Sequence, residues 1–428
     1  MFDIEFRKNN LVHIVDSIMG SNKTNKIIEW MDSNPNNKYI YVSPLLSEVE
    51  EGGRVHKGLK NITLEVPSND EFTKSQSLLS MLEDGNNIAC THSLYMKMSE
   101  KHFQEISRNG YIIIIDEEID VIGGFNAYSQ SDMKWLITKG DIEISPDDGM
   151  VSWVGDRNEI TEKHKYFRFV KYCDSKSLYC TKRSDTMTVT QLPIKLFECA
   201  KQVIIITYMF KGNILDCFLQ LKGFNTTEFT DIVPDKTDKT KIRSLLTVVP
   251  PTEKMNNYSL SSTWYSEANG QQLKDVGNYI RTVANRLGYA SKDIMWTAPK
   301  DRSIRGSNKS KKLVKPNSYT IYRDEDGVKK PCWLAVQTRA TNEFRDKKLM
   351  VHCYNRFPLL AVSSYLQDYG CPVDLKIFAL SEILQWSYRG CIRKDEPMVL
   401  AIGSKRMYNY FMDWMNEEGR GNVRHKDL

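Results

Sequence analysis

The sequence predicts an α/β protein of two domains, each a parallel sheet wrapped by helices, and three observations carry that reading. Apolar runs of strand length alternate with amphipathic helical stretches from Leu11 onward, the rhythm of a parallel sheet with crossover helices. Gly110-Tyr111-Ile112-Ile113-Ile114-Ile115 runs straight into Asp116-Glu117-Glu118, as a strand buried on both faces does when it ends in polar residues. The chain of 428 residues is long enough for two sizeable cores.

Taken in order, Leu11 to Val15 reads as a strand and Asn25 to Met31 as a helix, joined by Asp16-Ser17-Ile18-Met19-Gly20-Ser21-Asn22-Lys23-Thr24. A strand follows at Lys38 to Val42, a helix after Pro44, a strand at Ile88 to Cys90, a helix through Leu94 to Phe103, and then the isoleucine strand. From 123 to 190 the rhythm breaks into short polar and aromatic pieces. Ser145-Pro146-Asp147-Asp148-Gly149 is a turn signal ahead of Met150 to Val154, so this part is expected to be a β-rich insertion of hairpins. Trp153 within it reads as a small-core anchor. A helix over Leu192 to Ala200 and the strand Val203 to Tyr208 resume the rhythm, and that strand is taken as the last of a first domain spanning 1–224.

Residues 225–241 alternate charges around one proline and read as a connector, leaving 242–428 as the second domain. Its strands are expected at Leu245 to Val249, Asp293 to Thr297 and Cys332 to Val336, with a long helix over Leu273 to Leu287. Residues 300–315 form a basic loop with Arg302, Arg305, Lys309, Lys311 and Lys312. The Cys332 to Val336 strand leads to a polar turn that includes Thr338 and Arg339. Finally, Gln385, Arg389 and Arg393 are spaced at i, i+4 and i+8, which puts them on one face if a helix carries all three.

Composition narrows the class. No apolar stretch reaches the length of a bilayer span, and Met1-Phe2-Asp3-Ile4-Glu5 lacks the basic-then-apolar pattern of a secretion signal. A cytoplasmic protein is expected, in the host cytoplasm if the source is viral. The nine cysteines are scattered without CxxC pairs or His partners at ligand spacing, which argues against a zinc site or a disulfide framework. A net charge of +5 permits a nucleic-acid partner without requiring one.

The loop before the first helix carries the clearest chemistry. Backbone amides of Gly20, Ser21, Asn22, Lys23 and Thr24 at a helix N-terminus form a phosphate cradle, and the Lys23 charge reinforces it. The usual pattern places Gly where Asn22 stands, and Asn tolerates the left-handed backbone that the position needs. Asp116 at a strand's C-terminal end can hold Mg²⁺, and Glu117 can polarise an attacking water.

In this order the phosphate loop, Asp116-Glu117 and Gln385-x-x-x-Arg389-x-x-x-Arg393 resemble the motifs of superfamily 1 and 2 helicases. The likeness is to helicase-like proteins encoded by bacteriophages. It extends through Tyr39 to Pro44, Thr91-His92, Leu192 to Phe197, Ile206 to Phe210, Ala340 to Asp346 and Tyr354 to Phe357, and so spans nearly the whole chain. The resemblance implies two RecA-like domains, ATP with Mg²⁺ in the cleft between them, and a nucleic-acid strand across their top. Lys23 would contact the β and γ phosphates, Thr24 and Asp116 would hold Mg²⁺, and Glu117 would activate water. Gln385 would sense the γ-phosphate while Arg389 and Arg393 stabilise its charge. Ser43, Pro44, Thr91 and His92 would face nucleic acid, as would Thr338 and Arg339, with Lys309, Lys311 and Lys312 on its phosphates. Thr207 and Tyr208 would couple hydrolysis to closure. The function so implied is ATP-driven unwinding or translocation on single-stranded or forked DNA in phage replication or recombination, alongside replisome proteins. A packaging or remodelling motor and a non-catalytic replisome module are the alternatives.

Overall fold

Isoleucine is stiff at its branched β-carbon and favours extended backbone, so Ile112 to Ile115 builds a strand whose side chains are all buried. The computed structural model describes residues 10–69, 73–158, 160–235, 239–303, 313–337 and 343–416. The chain divides into two compact units. The first comprises Met1–Ile18, Asn22–Asp235 and Pro358–Asp374; the second comprises Met19–Ser21, Lys236–Phe357 and Leu375–Leu428.

In the first unit the strands are β1 (Leu11–Asp16), β2 (Tyr39–Ser43), β3 (Ile88–Thr91) and β4 (Ile112–Asp116), then β5 (Ile122–Gly124), β6 (Ile142–Ile144), β7 (Val151–Trp153), β8 (Leu178–Thr181) and β9 (Ser184–Gln191), and last β10 (Gln202–Thr207) and β11 (Asn225–Glu228). The main sheet has the order β11-β1-β10-β4-β2-β3, and every pairing in it is parallel. Register places Asp16 opposite Thr207 and Ile206 opposite Asp116, so the polar ends of β1, β10 and β4 fall along one edge. That edge is the C-terminal one, where open α/β sheets bind ligands.

The insertion is mixed. Strands β5, β9 and β8 form one antiparallel sheet and β6 and β7 a hairpin, while helices Gln130–Lys139 and Phe167–Asp174 complete a small core of their own. Gly149 closes the hairpin turn at φ 75°, and a Cβ there would stand 2.2 Å from the Cys180 carbonyl oxygen. Trp153 is buried and donates to the Gly155 carbonyl at 3.0 Å, an anchor as expected.

The second unit contains β12 (Leu246–Val249), β13 (Ile294–Thr297), β14 (Ile321–Arg323), β15 (Lys329–Pro331), β16 (Leu349–His352) and β17 (Met398–Ile402). Its parallel sheet has the order β12-β17-β16-β13, and β14 pairs with β15 as a separate antiparallel ribbon. Among the described residues no helix is long and apolar enough to cross a membrane.

Several boundaries differ from the sequence expectation. Residues 225–228 are no connector: they form the edge strand β11 on β1, hidden in the sequence because an edge strand of Asn-Thr-Thr-Glu has no apolar face to betray it. The stretch 358–374 does not belong with the rest of 242–428. Its helix Leu360–Asp368 buries Val362, Tyr365 and Leu366 in the first unit's core, Tyr365 donates to the Asp148 carbonyl at 2.8 Å, and Arg183 pairs with Asp368 at 2.6 Å. The helix expected over Leu94 to Phe103 is two helices, His92–Tyr95 and Glu100–Asn109, because Ser99 starts a new one with its amide on His102 Nδ1 at 3.2 Å. The helix near 192–200 shortens to Lys195–Glu198. Cys332 to Val336 makes a single bridge, Trp333 to Trp296, instead of a strand.

His352, at the end of β16, is wholly buried, and neither ring nitrogen has a hydrogen-bond partner. Its ring stands edge-on to Trp386 at 5.4 Å. Burial first, and the nearby Arg356 charge second, push its pKa down to about 3. A histidine held neutral in the folded state, with an ordinary value in the unfolded chain, supplies stability that is complete above about pH 6.5 and lost as the pH falls toward 3, at up to about 1.4 kcal/mol per pH unit. Urea unfolding of wild type and His352→Phe between pH 4 and 7 should show a shallower acid-side loss in the variant.

Candidate functional site

The phosphate loop follows β1 and ends at helix Lys23–Ser33. Gly20 adopts φ 81° and Asn22 φ 61°, so the residue standing where Gly is usual takes the left-handed conformation that the turn demands. Asn22 also braces the first turn: its side-chain oxygen accepts from Asn25 at 2.6 Å, and its carbonyl accepts from the Lys26 amide at 3.0 Å. Ser21 is buried with its hydroxyl unpartnered. Lys23 donates from Nζ to the Ile18 carbonyl at 3.3 Å, folding back over the loop's own backbone.

Asp116 is 5% exposed and is the convergence point of the first unit's site. Thr24 reaches its Oδ2 at 3.3 Å and its Oδ1 at 3.5 Å. This joins the helix after β1 to the end of β4 and sets two oxygens side by side, the hard-ligand pair that a largely hydrated Mg²⁺ accepts. These residues therefore fit the cation that the sequence implies. The same Oδ2 accepts from the Tyr41 hydroxyl at 2.7 Å and lies 3.6 Å from Arg54. Glu48 shares the Arg54 guanidinium at 3.1 Å and accepts from Ser43 at 3.2 Å. Burial raises the Glu48 carboxyl and, with the Asp116 charge next, holds the Tyr41 phenol well above its usual range.

Glu117 has φ 65°, unusual for a non-glycine residue, and its amide donates to the Ile206 carbonyl at 2.9 Å. A left-handed Glu at a strand end costs on the order of 1–3 kcal/mol and turns the side chain out of the alternation that β4 would impose. Next to it, Glu118 accepts from the Thr207 hydroxyl at 3.3 Å. Asp16 accepts from the amides of Met209 and Phe210 at 2.8 and 3.0 Å, so the loop after β10 is tied to the end of β1 beside the phosphate loop.

Other sequence candidates fall differently. Ser43 and His92 are buried and turned inward, Ser43 onto Glu48 and His92 onto the Asp116 carbonyl at 2.8 Å. They support the acidic strand end and do not face outward as expected. Pro44 and Thr91 are half-buried, and Thr91 caps helix His92–Tyr95. Gln385 lies on helix Leu375–Ser387, but that helix stops before either arginine. Arg389 is buried in the following turn and Arg393 is exposed on a 3-10 segment, Cys391–Lys394. The shared helical face is thus corrected. Gly390 takes an extended conformation, and a Cβ there would come 2.5 Å from Met398 Sδ and 3.0 Å from the Lys347 carbonyl oxygen, so the chain packs closely there. Thr338, Arg339, Lys309, Lys311 and Lys312 lie outside the described residues. Tyr41, Glu48 and Arg54 were missed by sequence reasoning. The one available signal was the charged stretch after Pro44, which reads as an ordinary helix surface.

Comparison with known proteins agrees with this architecture. A family model described as the YonV C-terminal Rossmann-like domain matches residues 240–415. The chain is 28% identical over 429 residues to the SPbeta prophage-derived uncharacterized protein YonV of Bacillus subtilis (strain 168), covering 95% of this chain and 99% of that protein. Among solved structures, one titled XPD apo superposes with a TM-score of 0.54 at 14% identity, covering 98% of each chain. Another, titled XPD helicase, gives 0.52 at 12% identity, covering 98% of this chain and 97% of that one. The fold is therefore that of the XPD helicases: an α/β architecture of parallel sheets flanked by helices, with added antiparallel sheets.

The left-handed Asn22 yields a direct test. Asn22→Gly relieves the conformational cost while keeping the turn, so its unfolding free energy should match wild type or exceed it by about 0.5–1 kcal/mol. Asn22→Val, branched at a positive φ, should lose stability in the same denaturant titration.

Proposed function

We propose that this protein is an ATP-dependent helicase or translocase acting on single-stranded or forked DNA. The observation that carries the reading is the meeting of Thr24 with Asp116 at 3.3 Å beside Lys23, on the C-terminal edge of a parallel sheet in an XPD-like fold. Lys23 and the amides of Gly20 to Thr24 bind the triphosphate at the helix N-terminus. Mg²⁺, when bound, neutralises charge on the β and γ phosphates. Thr24 and Asp116 hold that ion, and Glu117 orients the attacking water and takes its proton. Gln385 senses the γ-phosphate. A guanidinium from Arg389 or Arg393 offsets the charge that develops on the transferred group.

Asp16, Thr207 and Glu118 form the route by which the loop after β10 responds to the nucleotide, since Asp16 ties Met209 and Phe210 to the phosphate-loop strand and Thr207 joins the end of β10 to Glu118. Pro44 and Thr91, with Thr338, Arg339, Lys309, Lys311 and Lys312, are proposed contacts to the DNA strand. The prophage origin of the YonV relative is in keeping with a phage setting, and within it we place the protein in replication or recombination, with replisome proteins as partners in the host cytoplasm.

Steady-state ATP hydrolysis with and without single-stranded DNA tests this reading. Wild type should hydrolyse ATP and be stimulated by DNA. Lys23→Ala should lose both hydrolysis and nucleotide affinity, whereas Glu117→Gln should keep affinity and lose turnover. Equal loss of binding in both would contradict the division of roles, and hydrolysis indifferent to DNA would refute the helicase. Alanine at whichever of Arg389 and Arg393 supplies the guanidinium should slow hydrolysis by ~10³-fold. A loss confined to DNA affinity would move that arginine to the nucleic-acid side.

A further inference from the structure

A cation already sits at the acidic end of β4. Asp116 and Glu48 are both in reach of one Arg54 nitrogen, at 3.6 and 3.1 Å, while the Arg54 Nε is buried without a hydrogen-bond partner. Asp116 Oδ2 also accepts from Tyr41 and lies within reach of Thr24, so three donors gather on one oxygen of the carboxylate proposed to hold the metal. A guanidinium and a divalent ion compete for that carboxylate, because two cations would then stand within a few ångströms in a site of low dielectric. Glu48 offers a second seat. It is closer to Arg54 than Asp116 is, and Ser43 and Arg54 fix it on the same side.

Resting on the ATP-site reading above, we infer that Arg54 is a tethered counter-ion for Asp116, which screens the metal-binding carboxylate while the site is empty and is kept by Glu48 alone, its nearer partner, when the metal–nucleotide arrives. Arg54 and Glu48 are positioning residues in this scheme, and neither touches the reacting atoms. The consequence is coupling. A free divalent ion must displace Arg54 on its own, whereas one carried on a triphosphate brings negative charge that Lys23 and the loop amides receive, so metal enters with nucleotide.

The two residues act in opposite directions, which a merely structural clamp does not. Mn²⁺ serves as the probe, with the full chain titrated in the absence of nucleotide and free Mn²⁺ read by electron paramagnetic resonance. Arg54→Met should tighten Mn²⁺ binding about 10-fold, by leaving two carboxylates uncompensated. Arg54→Lys should stay near wild type. Glu48→Gln removes the second seat and should weaken Mn²⁺ binding several-fold. Circular dichroism checks that each variant is folded, and if Arg54→Met does not fold, the sign of the Glu48→Gln effect still decides.

Unchanged or weaker Mn²⁺ binding in folded Arg54→Met, or tighter binding in Glu48→Gln, overturns the counter-ion role. Fluorescent ATP-analogue binding to wild type keeps the two readings apart. Nucleotide binding together with the wrong sign in these variants defeats the Arg54 role alone. A wild type that binds neither the analogue nor, in comparison with Asp116→Asn, any Mn²⁺ at Asp116 defeats the ATP site itself.

Discussion

A carboxylate almost wholly removed from water at the end of an all-isoleucine strand has to be met by donors, and Asp116 organises the first unit on that account. Unpaired, a buried charge costs several kcal/mol. Here four segments converge to supply the partners: Thr24 from the helix after β1, Tyr41 from β2, Arg54 from the short helix Arg54–Gly58, and His92 on the main-chain carbonyl. Each partner fixes the end of its own element. The local geometry of the phosphate loop, the strand ends and the region after Pro44 is therefore one linked arrangement.

The parallel sheet makes such convergence possible. With β10 between β1 and β4 in unbroken register, Asp16, Thr207 and Asp116 come to a common edge without a dedicated contact to draw them there. The residues after each strand then depart from regular geometry to serve the edge: Asn22, Glu117 and Met209 all have positive φ. Conformations of that kind persist only where surrounding structure over-determines them, and here the Glu117 amide is held by the Ile206 carbonyl and the Met209 amide by Asp16. The proposed ATPase uses residues that the sheet brings together for its own reasons of register.

The second unit illustrates a different use of burial. Its sheet hides His352 and Trp386 together with ring nitrogens that find no partner, and Gly390 permits β17 to approach closely where any side chain would collide with Met398. Arg389 lies in the turn after the helix and is buried, whereas Arg393 on the following 3-10 segment is exposed.

By itself the sequence determined the alternation of strands and helices, the phosphate loop, the acidic end of β4 and the hairpin around Gly149. Each of these is written in local periodicity or in a residue type that one backbone conformation requires. It could not determine that Asn225–Glu228 pairs with β1 or that Leu360–Asp368 rejoins the first unit, because the polar edge strand lacks an apolar pattern and the helix buries its apolar face on residues distant in sequence, Tyr365 reaching Asp148 across 217 positions. Nor could it show that Ser43 and His92 turn inward or that Arg54 and Glu48 surround Asp116. Side chains on neighbouring loops meet only after the strands are ordered, and strand order is a property of the packed sheet, carried by long-range burial and not by any window of residues.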